Sequence, residues 1–433
     1  MLVGSRLFVL CTAVLCAACT DREQPAARNV VLVTIDTLRA DHVGAYGGPV
    51  PTPALDALAA DGVLLENACT PTPSTGPALA SLLTGLYPWN HGVLLNAVPI
   101  DDPDLPNLAE HMRAAGFATA GFVSSHNVAG RYAFDRGFDH FRFEGSRSFD
   151  GTARFWNLGE ETTDAVLEWL DSHHRRRFFV WVHYFDPHAP YTPPKRFRRP
   201  DDEPIDLSGK TLPPMLRTVE QLRAAIRGYR GNVVYTDSEF GRLIAKLREL
   251  GRLDETAVIV TSDHGEGLGD HGVLDHGQNL YDELVRIPLL IRAPGIRGGR
   301  RLNGPAQLED LMPTTLALAG VPVPEGLDGI DLTPWLRAEV EASPRSLVMG
   351  RRASFANAPA LYYTRRWPEK WIGPLDRSGF AFRLDLDPRE AERSPAPPPE
   401  VIEKSAAAAA RRIRERVLND ESREALEALG YLE

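Results

Sequence analysis

Two aspartates and one histidine each follow an apolar run of the sequence, at positions where their side chains could bind a metal ion. Asp36 follows the first run, and the pair Asp263 and His264 follows a later one. Carboxylate oxygens and imidazole nitrogens are common ligands of divalent cations such as Zn, Mn, Mg and Ca. Any one of these residues alone is more often a helix cap or an ion-pair partner. Together with the hydroxyl of Thr75 they form a set of four candidate metal ligands.

Three continuous apolar runs, rich in β-branched residues, predict the strands that position these side chains. They span residues 30–35, 178–182 and 257–261, and the second leads into His183 and Asp186. Such runs are typical of strands that are buried on both faces of a sheet. Open α/β sheets build their sites at the C-terminal ends of their strands. We therefore expect the polar residues that follow the three runs to converge on one site.

Helical segments alternate with these runs. Apolar residues recur at intervals of three and four within 240–250, and further helices are predicted around 55–58, 76–84 and 163–170. The alternation predicts an α/β fold with a mainly parallel central sheet flanked by helices. Residues 192–215, rich in Pro, Arg and Asp, predict a long surface segment that is either structural or a lid facing the substrate.

The composition changes near position 340, which predicts a catalytic domain over residues 29–340 and a smaller C-terminal α+β subdomain over residues 341–433. Short apolar and aromatic segments in the second part predict a small antiparallel sheet. These segments are 347–349, 361–363 and 380–382. Residues 401–429 predict one or two closing helices.

The N-terminal residues 1–19 predict an export signal of the lipoprotein type, followed by a tether over residues 20–28. Arg6 precedes a short apolar stretch that ends at Cys19. The small residues before Cys19 resemble a bacterial lipobox, which predicts a lipid anchor there and an exported lipoprotein in the periplasm or on the outer-membrane face. An ordinary cleaved signal and a membrane anchor remain as alternatives. Three of the four cysteines lie in this segment, so Cys69 has no internal disulfide partner.

The overall composition is that of a soluble globular protein. The 433 residues are 43% hydrophobic and 24% charged, and the formal net charge is -10. An acidic chain is a poor match for the phosphate backbone of nucleic acids, so nucleic acid is excluded as the main partner.

The segments that carry the candidate metal ligands also match the signatures of one enzyme family in order along the chain. The matching segments are 35–42, 73–85, 183–191 and 261–272, followed by shorter landmarks at 280–283, 287–291 and 384–388. They resemble the sulfatases, a branch of the alkaline phosphatase superfamily, and the resemblance spans residues 29–433. It implies an alkaline-phosphatase-like fold and one divalent metal ion bound by Asp36, Thr75, Asp263 and His264.

The same resemblance assigns the nucleophile to Thr75. Sulfatases carry a Cys or Ser nine residues before a Thr-Gly pair and oxidise it to formylglycine. Counting back from Thr84 places Thr75 in that position, whereas Cys69 lies fifteen residues before Thr84. A threonine is not expected to become formylglycine. The resemblance implies that its hydroxyl, with a pKa lowered by the cation, attacks directly, and that the amides at the N-terminus of the helix over 76–84 favour an anionic ester.

Several further residues match positions that contact the substrate in this family. His188 matches a histidine that contacts the transferred group or the leaving oxygen, and His276 stands where many sulfatases have a lysine that holds sulfate. We therefore expect both to be catalytic. Arg39, His183 and His271 are candidate substrate contacts, each with the alternative that it holds loops together.

A second cation is an alternative for part of this set. Asp186, His188 and His276 could together bind a second ion, as in two-metal phosphodiesterases. Simple contacts to an anion are the competing interpretation.

These features predict a metal-dependent hydrolase that acts on a small-molecule, glycan or lipid ester of sulfate, phosphate or phosphonate. A threonine ester of phosphate can be released by attack of water at phosphorus, which favours phosphate or phosphonate chemistry. A transferase that moves a phospho-substituent onto an envelope lipid or glycan is one alternative. A non-catalytic glycan- or lipid-binding relative is another.

Overall fold

The structure is a computed structural model, and it describes residues 26–100, 102–143, 156–353, 359–376 and 378–400. The predicted export signal over 1–19 and the predicted closing helices over 401–429 lie outside the described residues, as does most of the tether. Both therefore stay predictions. Within the described part of the chain, no helix combines the length and the apolar character needed to cross a membrane.

The described strands divide between a large central sheet, a C-terminal sheet and one small hairpin. In chain order they are β1 Asn29–Ile35, β2 Val63–Cys69, β3 Ala118–Val123, β4 His140–Arg142, β5 Phe178–Tyr184, β6 Thr256–Ser262, β7 Gly267–Leu268, β8 Leu274–Asp275, β9 Arg286–Ile287, β10 Leu289–Arg292, β11 Arg300–Gln307, β12 Val348–Arg352, β13 Leu361–Arg366, β14 Glu369–Gly373, β15 Gly379–Arg383 and β16 Ser394–Ala396.

The described α-helices connect these strands and cover the central sheet. They are α1 Pro53–Asp61, α2 Thr75–Thr84, α3 Pro88–His91, α4 Leu108–Ala114, α5 Gly159–His173, α6 Val219–Glu249, α7 Asp282–Val285, α8 Leu311–Leu318 and α9 Thr333–Leu336.

The central sheet is mixed, with a parallel centre. Its strand order is β11-β2-β10-β6-β1-β5-β3-β4, and β9 pairs with β2 outside this path. Strands β6, β1, β5, β3 and β4 run parallel to one another, whereas β10 is antiparallel to both of its neighbours. The predicted α/β fold with a mainly parallel sheet is confirmed.

The three strands predicted from apolar runs are direct neighbours at the middle of this sheet. Strand β1 lies between β5 and β6, and Ile35 at its end pairs with Tyr184 on one side and with Ser262 on the other. Because the three strands are parallel and in register, the residues that follow them emerge at one edge of the sheet. The predicted convergence of Asp36 and Asp263 therefore follows from the pairing of the strands.

Two apolar layers bury the faces of the central sheet. One layer packs the side chains of α2, α4 and α8 against residues such as Leu32 and Trp181. The other packs α1, α5 and α6 against residues such as Val31 and Val180. Successive residues of a strand point to opposite faces, so a strand covered on both sides reads as a continuous apolar run.

The predicted C-terminal antiparallel sheet is also confirmed. Strands β12 to β16 pair in sequence order, each antiparallel to the next. The hydroxyl of Tyr363 on β13 donates a hydrogen bond to the carbonyl of Thr70, just beyond β2, at 2.6 Å. The small sheet therefore packs directly on the chain segment that leads to Thr75. Residues 192–215 lack regular structure apart from a short 3-10 turn, Lys195–Phe197, as predicted for a surface segment.

Leu32 lies at the centre of β1 and is completely buried, so its truncation tests how much the core contributes to the stability of the fold. We expect Leu32→Ala to lower the free energy of unfolding by about 2–5 kcal/mol, because truncation leaves a cavity between sheet and helices. Chemical denaturation measures the change, with Leu386→Ala as the control because Leu386 is 76% exposed. Equal effects of the two substitutions would contradict the assignment of Leu32 to the core.

Candidate active site

Three of the four predicted metal ligands form a compact cluster from which solvent is excluded. Asp36, Asp263 and His264 are each 0% exposed, and one ligand atom from each lies within 4.8 Å of the others. His264 Nε2 lies 3.3 Å from Asp263 Oδ2 and 3.9 Å from Asp36 Oδ1. The cluster sits at the ends of β1 and β6, where the strand register places it.

Three of the four carboxylate oxygens of this cluster lack hydrogen-bond partners. Neither oxygen of Asp36 has one, and neither does Oδ2 of Asp263. Burial raises the pKa of Asp36 well above its ordinary value, and the neighbouring Asp263 raises it further. Buried charges in proteins are normally paired or bind a metal. Unpaired oxygen atoms beside an imidazole nitrogen match the donor set of a divalent cation.

The backbone around His264 orients its ring toward this cluster. His264 Nδ1 lies 2.9 Å from the carbonyl oxygen of Gly265, so this nitrogen carries the proton and donates it. The other nitrogen, Nε2, then presents a lone pair to Asp36 and Asp263. Burial lowers the pKa of His264 to about 4, which keeps the ring neutral at physiological pH. Neutral imidazole is the form that binds metal ions.

Thr75 lies against the same cluster. It is the first residue of α2, it is 1% exposed, and its Oγ1 lies 3.3 Å from His264 Nε2. The preceding residue, Ser74, has an extended backbone with φ −146° and ψ 128°. The turn from extended chain to helix therefore presents the Thr75 hydroxyl to Nε2 of His264, and the role of Thr75 as a fourth metal ligand stays a prediction.

The N-terminal amides of α2 are less available to a ligand than the sequence suggested. The amide of Gly76 donates to the side-chain oxygen Oδ1 of Asn96 at 2.8 Å, and Pro77 has no amide hydrogen. A Cβ atom on Gly76 would lie 3.1 Å from that same oxygen, a tight contact that would require the Asn96 side chain to shift.

Asn96 is a site residue that no local sequence pattern indicated. Its side chain is 3% exposed, and its Nδ2 has no hydrogen-bond partner. The side-chain oxygen of Asn96 thus accepts a hydrogen bond from the backbone amide of Gly76 at the start of α2. Its side-chain nitrogen, Nδ2, remains available as a donor. Asn96 lies in an irregular segment far from any strand end, so only the folded chain brings it beside Gly76.

Thr37 adopts a strained backbone next to the cluster. Its φ is 56°, in the left-handed region that β-branched residues rarely occupy. The conformation allows its amide to donate to Asp263 Oδ1 at 3.1 Å. Tyr229 stabilises it by donating its hydroxyl to the Thr37 carbonyl at 2.8 Å. Strain of this kind persists where the surrounding structure enforces it, and it is common at functional sites.

The two predicted catalytic histidines lie together, but their charges differ. The ring centroids of His188 and His276 are 4.9 Å apart, and those of His276 and His264 are 4.4 Å apart. Burial lowers the pKa of His188. Burial also opposes the charge of His276, but the carboxylates of Asp275 and Glu266 outweigh it and raise the pKa well above the ordinary value. His276 is therefore a cation where His188 is neutral.

The predicted second cation site at Asp186, His188 and His276 is not formed. Asp186 Oδ1 accepts the amide of Gly159 at 3.1 Å, at the start of α5, and Asp186 belongs to no candidate ligand group among the described residues. The backbone after β5 turns its side chain toward this helix. The carboxylates beside His276 are instead Glu266 and Asp275, with the closer oxygen 2.8 Å from His276 Nδ1.

His183 lies behind Asp36. It is completely buried, its Nε2 is 3.5 Å from Asp36 Oδ2, and its Nδ1 is 2.9 Å from the hydroxyl of Thr34. Burial lowers its pKa to about 4, so the ring is neutral. His183 thus lies within β5 between Thr34 and Asp36, and its predicted substrate contact stays a prediction.

Arg39 and His271 line a separate polar cavity of about 460 Å³. The guanidinium of Arg39 forms ion pairs with Asp41 at 2.7 Å and Asp270 at 2.5 Å. His271 Nδ1 lies 2.9 Å from a carboxylate oxygen of Glu283. Both side chains therefore hold loops in place. No described contact joins either of them to Thr75, and their predicted role in substrate binding stays a prediction.

Cys69 lies outside the cluster. It is the last residue of β2, it is completely buried, and it packs with Tyr363 and other residues beneath the C-terminal sheet. Its sulfur atom lies 3.6 Å from Arg365 Nη1. Burial raises the pKa of its thiol, which disfavours the reactive thiolate.

Known proteins resemble this chain in sequence over most of its length. A family model described as Sulfatase matches residues 28–321. The Ulvan-active sulfatase of Formosa agariphila is 29% identical over 371 residues, which cover 79% of this chain and 71% of that protein. The multifunctional alkaline phosphatase superfamily protein PehA of Trinickia caryophylli is 31% identical over 403 residues, which cover 71% of this chain and 77% of that protein.

A solved structure shares the fold. The phosphonate monoester hydrolase SpPMH from Silicibacter pomeroyi is 26% identical and superimposes with a TM-score of 0.69. The match covers 90% of this chain and 95% of that chain. Relatives of this chain thus act on sulfate esters and on phosphonate esters.

A divalent cation is expected to stabilise the protein through the carboxylates of the cluster. At a free cation concentration one hundred times Kd the gain is about 2.7 kcal/mol. Thermal melts with EDTA, Ca²⁺, Mg²⁺, Mn²⁺ and Zn²⁺ measure it. We expect Asp36→Asn to abolish the shift, whereas Asp206→Asn, at an exposed position, retains it. A shift that survives in Asp36→Asn would contradict the proposed ligand set.

The contact between His271 and Glu283 is expected to make stability depend on pH. Burial lowers the pKa of His271, but Glu283 more than reverses this and raises it above the unfolded value. The charged pair then stabilises the fold fully below pH ~6.5, the unfolded pKa, and this contribution is lost as pH rises through the folded pKa. Urea denaturation at pH 6 and pH 9 tests this with His271→Gln, and with His111→Gln as the control. Parallel pH profiles of wild type and His271→Gln would refute it.

Proposed function

The chain belongs to the sulfatase family, and from this premise we propose that it is a metal-dependent hydrolase of an anionic ester with Thr75 as its nucleophile. The observation that carries the proposal is the position of the Thr75 hydroxyl. It lies 3.3 Å from the nitrogen that His264 presents to the buried carboxylates of Asp36 and Asp263. Cys69, the other candidate from the sequence, lies under the C-terminal sheet.

The buried residues around Thr75 support a role in catalysis. A divalent cation held by Asp36, Asp263 and His264 would lower the pKa of the Thr75 hydroxyl and stabilise negative charge on the ester. A non-catalytic binding relative would have no need to maintain three carboxylate oxygens without hydrogen-bond partners in the interior, because they lower stability unless a ligand compensates them. This favours an enzyme over the binding-protein alternative.

The first half of the reaction transfers the anionic group to the protein. Thr75 loses its hydroxyl proton to water, and its Oγ1 forms a bond to the phosphorus or sulfur atom of the ester. The bond between that atom and the oxygen of the alcohol breaks. The departing oxygen takes a proton from His276, whose neighbours Asp275 and Glu266 keep it protonated. The side-chain nitrogen Nδ2 of Asn96, which has no hydrogen-bond partner, is a donor available to the anion.

The second half restores the enzyme. Water attacks phosphorus in the threonine ester, the bond to Thr75 Oγ1 breaks, and inorganic phosphate or a phosphonate is released. The attacking water gives one proton to His276 and thereby regenerates its charged form. Thr75 recovers its hydroxyl proton from solvent.

Phosphate or phosphonate esters fit this site better than sulfate esters. Formylglycine enzymes eject sulfate by using the second hydroxyl of a hydrated aldehyde, and Thr75 has a single hydroxyl. Leu79, on the turn of α2 after Thr75, is buried among apolar side chains and offers no cation to an anion. The relative SpPMH, a phosphonate monoester hydrolase, is consistent with phosphonate esters as substrates.

Substitution of Thr75 tests the proposal. We expect Thr75→Ala to lower kcat/KM by at least about 10³-fold, because removal of a nucleophile eliminates its reaction path. Thr75→Ser keeps a hydroxyl and should retain measurable turnover. The assay uses the chain from residue 20 with aryl sulfate, aryl phosphate and aryl phosphonate esters, each with the metals that raise the melting temperature.

Cys69→Ala is the matched control for the nucleophile. The proposal expects this variant to keep wild-type turnover. Sulfate ester hydrolysis that survives in Thr75→Ala and disappears in Cys69→Ala would assign the reaction to Cys69 instead.

A further inference from the structure

The edge of the central sheet opposite to the candidate active site carries a group of arginines. The parallel strands β1, β3 and β5 begin at this edge, and β5 is preceded by the sequence His-His-Arg-Arg-Arg at positions 173–177. Arg175 and Arg176 are exposed. The chain as a whole has a formal net charge of -10, so this positive edge does not follow from the overall composition.

Arg28 joins these arginines at the start of β1. Its Nη2 donates to the carbonyl oxygen of Arg175 at 3.2 Å, and its Nε lies 3.8 Å from a carboxylate oxygen of Glu255. The Nη2 of Arg177 donates to the carbonyl oxygen of Ala319 at 3.2 Å. Four consecutive or neighbouring arginines therefore meet here, and within the described chain only Glu255 forms an ion pair with any of them.

A cavity of about 440 Å³ lies at the same edge, between the starts of β3 and β4 and the last turns of α5. Its acidic lining residues are Asp139 and Glu168, and basic residues outnumber them. Those basic residues are His140, Arg142, His173 and Arg176. Burial lowers the pKa of His140, and Arg142 and His173 lower it further. Guanidinium groups match phosphate oxygens in geometry and charge, so the cavity suits a phosphate group.

The same edge receives the chain segment that leads back to the predicted lipid anchor at Cys19. The amide of Ala27 donates to the carbonyl oxygen of Leu318 at 2.8 Å, which fixes the chain at this edge. Seven peptide steps separate Cys19 from Ala26, and an extended chain of that length spans at most about 25 Å. A lipid on Cys19 would therefore keep the arginines within about 25 Å of a bilayer.

We propose that this basic edge, formed by Arg28, residues 175–177 and the adjacent cavity, binds the headgroups of anionic phospholipids. The predicted anchor supplies proximity, and the arginines supply orientation, because attraction to a charged surface acts only within about 10 Å. Strand β1 separates Arg28 from Asp36 by about 25 Å, so the candidate active site then faces away from the bilayer. Binding by the basic edge is independent of turnover and thus of the proposed function.

Partition of the full chain onto vesicles tests the basic edge. The vesicles consist of phosphatidylcholine alone or of an equal mixture with phosphatidylglycerol. The N-terminal segment is the same in every variant, so its contribution cancels when the two vesicle types are compared. We expect wild type to prefer the anionic vesicles, and to do so less as salt is raised. The double variant Arg175→Gln, Arg176→Gln should lose about 30-fold of this preference, since each arginine near an anionic surface contributes about fivefold.

Two further variants separate the position of the charge from its amount and from the fold. Arg198→Gln, Arg366→Gln removes the same charge from exposed positions away from this edge and should keep the wild-type preference. Arg175→Lys, Arg176→Lys keeps the charge at the edge and should also bind as wild type does. Equal preferences in wild type and the Arg175→Gln, Arg176→Gln variant overturn the proposal. A loss of the same size in the Arg198→Gln, Arg366→Gln control does so too.

Heparin distinguishes a lipid surface from a soluble polyanion. The proposal expects vesicle binding to follow the content of phosphatidylglycerol. If wild type binds heparin through Arg175 and Arg176 but shows no preference for anionic vesicles, the edge binds a soluble polyanion and the assignment to lipid is wrong.

Hydrogen exchange on the vesicles tests the orientation. On anionic vesicles the amides of residues 175–177 should exchange at least about threefold more slowly than on neutral vesicles, because headgroups cover them. The amides of residues 186–191 follow β5 at the opposite edge and should exchange equally on both. Protection of residues 186–191 in place of residues 175–177 would show that the active-site edge faces the bilayer, which overturns the proposal.

Discussion

The structure depends on one electrostatic constraint, which is that Asp36 and Asp263 lie side by side in the interior. The parallel register of β5, β1 and β6 enforces this, because both residues follow strands that end at the same edge of the sheet. Both oxygens of Asp36 and one oxygen of Asp263 lack hydrogen-bond partners, so the fold alone leaves part of this charge uncompensated. The hydrophobic layers on both sides of the sheet make the arrangement possible, since they supply stability that the cluster itself opposes.

The surrounding residues accommodate the two buried aspartates, Asp36 and Asp263, in two ways. Thr37 adopts a strained conformation to bring its amide to Asp263, and His264 is oriented by the Gly265 carbonyl so that a lone pair faces the carboxylates. Beyond them, His276 is charged because Asp275 and Glu266 surround it, while His188 is not. The negative charge of Asp36 and Asp263 therefore lies a short distance from the positive charge of His276. Such an arrangement suits an anionic ester that contacts cations on one side and releases its alcohol on the other.

The C-terminal sheet also contacts the chain segment that leads to Thr75. It packs on the segment between β2 and α2 through Tyr363, and it buries Cys69 beneath it. Cys69, which the sequence places near the family signature, thereby lies outside the cluster of Asp36, Asp263 and His264. The same sheet contacts the segment that leads to Thr75, because the amide of Arg351 donates to the carbonyl oxygen of Pro71 at 2.8 Å.

The sequence by itself determined the three central strands, the convergence of Asp36, Asp263 and His264 as candidate metal ligands, and the position of Thr75 beside them. Each follows from a short pattern: an apolar run, the polar residue after it, or the spacing to Thr84. The alternative that Asp186 takes part in a second cation site is not supported among the described residues, because the backbone after β5 turns that side chain to the amide of Gly159. Only the tertiary structure brought Asn96 to α2 and the backbone of β12 to Pro71. Those contacts join residues far apart in the chain, and no local periodicity encodes the direction in which a buried side chain points.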